Sequence, residues 1–255
     1  MVDIYKSRIR VYFFMDLILI LCRGMINRRI LIAGVVCALI TVITTFVVHL
    51  VQVPVATFEE RLQLNNNWTY IGRNLITIIH CICVAISMGA LAHGSKHRSG
   101  GTIMQWGAIA FLLFSLTEIM RMVTALVYAN GLRTQYLAST DPAQQELIRF
   151  ALETQWPLIG SVMFTVFIIM FGIGCLLMGI GLVEPGNKLN LITGILFIFW
   201  GVQSFVTIGN EHLGWGLDTI IFWQSVTFQP GMRLLVALWL IVAMSSRPHL
   251  GTQPT

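Results

Sequence analysis

Apolar runs of about 20 residues recur along this chain, each long enough to cross a bilayer core of about 30 Å as a helix. Of the 255 residues 56% are hydrophobic and 11% charged, against about 25% charged in an ordinary soluble domain. That balance, with a mean hydropathy of +0.79, excludes a soluble enzyme. The fold class it predicts is all-α: a polytopic transmembrane bundle of six spanning helices with additional interfacial or re-entrant segments.

The spans read as residues 30–53, stopped by Pro54; 74–93; 103–129, with Glu118 and Arg121 inside it; 157–183; 189–209; and a short one at 231–246. Pro157 sits in a favoured first-turn position, and Glu184-Pro185-Gly186-Asn187 makes a turn after the fourth span. Two segments fit less simply. Residues 11–22 are apolar but too few to span, so an interfacial or re-entrant helix is expected there. Residues 213–229 contain Asp218, Gln224 and two glycines, and are read as a re-entrant or surface-lying outer segment. The chain is one membrane domain: a cytoplasmic or interfacial segment at 1–29, the bundle at 30–246 and a tail at 247–255. Its basic start resembles a signal peptide, yet Asp16 interrupts the apolar section and no A-x-A site follows, so the segment is expected to be retained.

Lys6, Arg8, Arg10, Arg23, Arg28, Arg29, Lys96, Arg98, Lys188 and Arg247 fall on one side of six spans. Arg61, Arg73, Arg133 and Arg149 fall on the other, with Arg233 at its boundary. Lys and Arg in short loops mark the cytoplasmic side, so both termini are expected there, in a membrane of the bacterial inner type. The net charge of +5 then reflects topology, with lipid as the partner and no nucleic acid. The connection over 130–156 predicts an amphipathic helix on the outer surface, capped by Asp141, with Pro142 in its first turn and an apolar stripe of Leu147, Phe150, Ala151 and Leu152.

Candidate chemistry comes from polar residues in apolar surroundings. Glu118 and Arg121 are three apart, share a helix face and can pair. His49 and His80 are placed at matching depth in the outer halves of adjacent spans, where they can ligate a b-type haem or a transition metal. Glu211, His212 and Asp218 follow the fifth span at the same boundary. His49, His80, Glu118, Arg121, Glu211, His212 and Asp218 therefore form the expected pocket or polar network in the outer half of the bundle.

Other patterns are absent or structural. There is no H-E-x-x-H, C-x-x-C-H, P-loop or G-x-S-x-G motif. The five cysteines lie in or beside apolar runs and form no disulfide framework. Gly34/Ala38, Ala85/Gly89 and the glycines at 172, 174, 179 and 181 suit close helix packing, within the bundle or against a second membrane protein or copy.

The section FGIGCLLMGIGLVEPGNKLNLITGILFIFWG, with a glycine-rich helix, a tight turn and a second helix, resembles small bacterial multi-helix membrane families of unassigned function. That resemblance carries over no activity and no functional residue. The expected function is an accessory or ligand-holding subunit with an outer polar pocket. The alternatives are a haem- or metal-bearing redox subunit, and an intramembrane enzyme or small-solute transporter using Glu118, Arg121 and the outer His/acid cluster.

Overall fold

The computed structural model describes residues 28–96, 98–184 and 186–245. The helix expected over 11–22, Cys22 and both termini lie outside them. Among the described residues six helices are long and apolar enough to cross a membrane. They are α1 (Arg28–Leu50), α3 (Trp68–Gly94), α4 (Gly101–Thr124), α7 (Trp156–Leu182), α8 (Lys188–Leu213) and α9 (Asp218–Ser245). Three short helices, α2 (Phe58–Leu62), α5 (Asn130–Ala138) and α6 (Pro142–Phe150), gather at one end of the bundle, the capped end.

Burial runs opposite to that of a soluble protein. Ile43, Leu112, Phe199 and Leu238 point outward, whereas Thr41, Asn74, Ser115, Glu118, Thr193 and Arg233 are buried. Such a surface suits hydrocarbon. Inside, Thr41, Asn74 and Thr193 donate to carbonyls of their own helices and Glu118 is held by Arg121, whereas Ser115 Oγ and two Arg233 nitrogens have no partner.

Helix α3 packs on α4, α4 on α7 and α7 on α8, while α9 bridges α8 and α3. Helix α1 lies along the α3/α9 seam, where a side chain on Gly34 would strike Ala90 and Leu240. The α7/α8 contact is glycine on glycine. A Cβ on Gly179 would stand 2.7 Å from the Gly194 carbonyl oxygen, and one on Gly194 2.9 Å from that of Gly179; Gly172 and Gly201 repeat the arrangement. Gly174 and Gly181 face α4 instead, against Phe111 and Met104. The i, i+7 spacing gives α7 two narrow stripes, one for each neighbour. Gly89 meets nothing, so the packing expected of it falls to Ala90.

Two expectations are corrected. Residues 218–229 are no separate re-entrant segment: they form the first part of α9, which continues through Pro230 to Ser245. In hydrocarbon a broken helix would leave backbone groups unsatisfied, whereas an interior proline removes a single hydrogen bond. The six-span count stands because 231–246 gains length from its neighbour. The amphipathic helix over 130–156 also takes another form. Helix α4 runs through a π-turn (Ala125–Ala129) into α5, and α6 runs through a second (Ala151–Gln155) into α7. The resulting continuous helices have 38 and 41 residues, each more than about 55 Å long at 1.5 Å per residue. They make a hairpin that projects beyond a membrane core. Asp141 does cap α6, its carboxylate accepting from the Ala143 N–H at 3.0 Å. The buried stripe, however, is Ile148 and Leu152 against Phe58, Leu62 and Ala129, with Leu147 and Phe150 exposed.

Candidate functional site

On α3, Tyr70, Arg73, Asn74, Thr77 and His80 recur at helical spacing and share one face. The Asn67 side chain starts the helix, accepting from the Tyr70 N–H at 2.9 Å. Asn74 and Thr77 then donate to the Tyr70 and Arg73 carbonyls, each at 2.9 Å. Arg73 reaches across to α1, where Nε and Nη2 donate to the Val48 carbonyl at 3.2 and 3.1 Å. That carbonyl lies in the last turn of α1 and has no helical partner.

Tyr70, Arg73, Asn74 and Thr77 wall a cavity of about 450 Å³ beneath the α2/α5/α6 cap. Helix α4 contributes Glu118 and Arg121, α2 contributes Arg61 and α5 contributes Arg133. Both π-turns border the chamber, through Ala125 and Leu152. Arg133 is 2% exposed. It bonds to Asn130 through Nη1 and lies 5.3 Å from the Tyr70 ring centroid, but its Nε has no partner. Four guanidinium groups thus face one carboxylate. Arg121 already holds that carboxylate, donating from Nε to Glu118 Oε2 at 2.7 Å and from Nη2 to Oε1 at 2.6 Å. The chamber carries about three uncompensated positive charges, and its walls suit an anion.

A second cavity of about 330 Å³ lies deeper, with wall residues from all six spans. Val48, Thr77 and Glu118 belong to both chambers. His49, His80, Gln203, Gln224 and Gln229 are its polar wall; Phe114, Phe164, Phe167, Phe171, Trp200 and Phe222 are its aromatic one. Gln229 Nε2 donates to Ser225 Oγ at 3.4 Å. His80 Nδ1 lies 2.8 Å from Thr44 Oγ1, which also lies 3.0 Å from the Ile40 carbonyl oxygen.

Arg233 forms part of this wall. It is 1% exposed, its guanidinium carbon lies 4.9 Å from the Trp200 ring centroid, and Nε and Nη1 have no hydrogen-bond partner. Among the described residues it makes no ion pair. Midway along a spanning helix such a charge costs roughly 3 kcal/mol on insertion scales, more than the ~0.5–2 kcal/mol of a cation–π contact.

The structure therefore brings His49, His80, Glu118 and Asp218 to the inner chamber and Glu118 and Arg121 to the cap chamber. Glu211 and His212 line neither; both are exposed, and His212 Nε2 bonds to Thr165 Oγ1 at 2.9 Å. Among the described residues no group of three or more His, Cys, Asp or Glu side chains is placed to hold a metal. His49 and His80 share a wall but gain no third ligand of those types.

Sequence reasoning missed Arg61, Arg73, Arg133 and Arg233, which it counted only as topological charges. The polar stripe on α3 was the available signal for Arg73. On α9 the spacing of Asp218, Ser225, Gln229 and Arg233 gave the corresponding signal. The chain matches no protein-family model, and no curated protein or solved structure is significantly similar to it.

Proposed function

We propose that this is a non-catalytic, ligand-holding membrane protein, an accessory subunit of the bacterial inner-membrane type, that receives a small anion in its cap chamber. The observation carrying this reading is Arg61, Arg73, Arg121 and Arg133 around a single carboxylate that Arg121 already pairs. Planar guanidinium groups in a partly dry cleft favour phosphate and carboxylate over water. The Lys/Arg asymmetry supports the capped end as the outer face, so the ligand arrives from outside.

Equilibrium dialysis of the purified full chain against labelled inorganic phosphate and against acetate tests the reading and separates the two anion chemistries. Saturable binding of one of them, weakened about tenfold or more by Arg133→Gln, is the expected result. Retention no greater than that of a protein-free control overturns it.

A haem- or metal-bearing redox subunit is the second reading, favoured by His49 and His80 in one chamber wall. A Soret band or stoichiometric metal in the protein as purified would establish it. A colourless, metal-free preparation would remove it.

A further inference from the structure

We infer that the inner chamber is a second binding site, for a small monocarboxylic acid with an aromatic body, whose carboxylate is held by Arg233. Three observations carry this assignment. Arg233 is a buried cation with no ion pair among the described residues and two guanidinium nitrogens without partners. Glu118, the other charged wall residue deep in the bundle, is held by Arg121. Asp218 is too far along α9 to help: fifteen residues separate it from Arg233, about 22 Å at 1.5 Å per residue. It is held instead by Asn210, whose Nδ2 donates to its carboxylate at 2.7 Å.

The remaining wall defines the body of the ligand. Phe114, Phe167, Phe171 and Trp200 line the cavity and pack against one another as rings, a wall that favours an aromatic ligand over an alkyl chain. The volume of about 330 Å³ is roughly twice the ~150 Å³ of an apolar cavity that holds one benzene. That volume is spread along a cavity whose wall runs from Asp218 to Arg233, so it suits an acid of at most about two fused rings lying lengthwise. Gln203 Oε1, also without a partner in this wall, can accept from a hydroxyl substituent. One negative charge answers the one unpaired cation among the described wall residues, so a dicarboxylate or a phosphate dianion fits less well. This site stands on its own residues and does not depend on the cap chamber being occupied.

Isothermal titration of the full chain in lipid nanodiscs tests the assignment, with 2-naphthoate as probe and 2-naphthalenemethanol as its neutral counterpart. Wild type is expected to bind naphthoate one to one and at least ~30-fold more tightly than the alcohol, the scale of one charge-assisted contact. Arg233→Gln should remove that preference, Arg233→Lys should keep part of it, and Arg133→Gln should leave it intact. Failure of Arg133→Gln to bind phosphate speaks only to the cap chamber. No naphthoate heat in wild type overturns the inner site, as does equal affinity for acid and alcohol. If Arg233→Gln does not fold, the acid-versus-alcohol comparison in wild type decides the matter.

Discussion

Arg121 grips the Glu118 carboxylate with two hydrogen bonds of 2.6 and 2.7 Å, one helical turn away on α4. Glu118 is 4% exposed and borders both chambers, so the pair forms the wall at which they meet. It fixes the charge state of that wall and leaves the other arginines unanswered.

Removing one partner strands the other's charge, so Glu118→Gln and Arg121→Met should each destabilise by about 3–5 kcal/mol, while the double variant loses much less. Denaturant unfolding of the four proteins measures the coupling. Additive losses would show that each charge is stabilised elsewhere.

Gly179 and Gly194 meet backbone to backbone. Gly179→Val should lower stability by roughly 1–3 kcal/mol through overpacking, because a carbonyl oxygen cannot move aside as a flexible side chain can. Gly160→Ala, which meets nothing within 4 Å, should be neutral or stabilising in the same thermal melt.

The acid limit of the cap has a sign that can be worked out. The Ala56 and Thr57 N–H groups donate to Glu60 Oε2 at 2.7 and 3.2 Å and hold its pKa below the ordinary 4.5. A carboxyl with a depressed folded pKa stabilises above its unfolded value and loses that contribution as pH falls through the folded one. The advantage of wild type over Glu60→Gln should be full at neutral pH and shrink below about pH 4.5. Melting midpoints across pH 3–7, a span of about four units, would show it. A constant gap would mean that the charge of Glu60 does not matter to the cap.

Sidedness follows from the basic residues. In a background with the native cysteines replaced by alanine, Leu147→Cys on the exposed face of α6 should react with an impermeant reagent from outside. Gln253→Cys should not. The reverse pattern would invert the bundle and put the cap chamber in the cytoplasm.

The number and class of helices were legible because a spanning helix needs length and apolarity, and both are local properties. What was lost was depth. Pro230-Gly231 reads as a break, so Arg233 was placed at a boundary; in the structure α9 passes through and carries Arg233 to its middle. Arg133 sits in a connection that reads as exposed, yet the α5/α6 hairpin folds it inward. Conversely, matched depth placed Glu211 and His212 with the pocket residues. Helical rotation, which depth does not encode, turned them to the surface. Glu118 and Arg121 were readable because a three-residue spacing on one helix sets both depth and direction.

If the arginines of the cap chamber hold an anion, that anion stabilises the folded chain. A ligand that binds only the folded state raises stability by RT ln(1 + [L]/Kd). The decisive measurement is the melting midpoint of wild type and of the Arg73→Gln/Arg133→Gln variant, as phosphate or, in a parallel series, acetate replaces chloride at constant ionic strength. With at least one of the two anions, the wild-type midpoint should rise and keep rising logarithmically with concentration, and the variant should show no such rise. A flat response of wild type to both anions, or the same rise in both proteins, would rule out an anion held by these arginines.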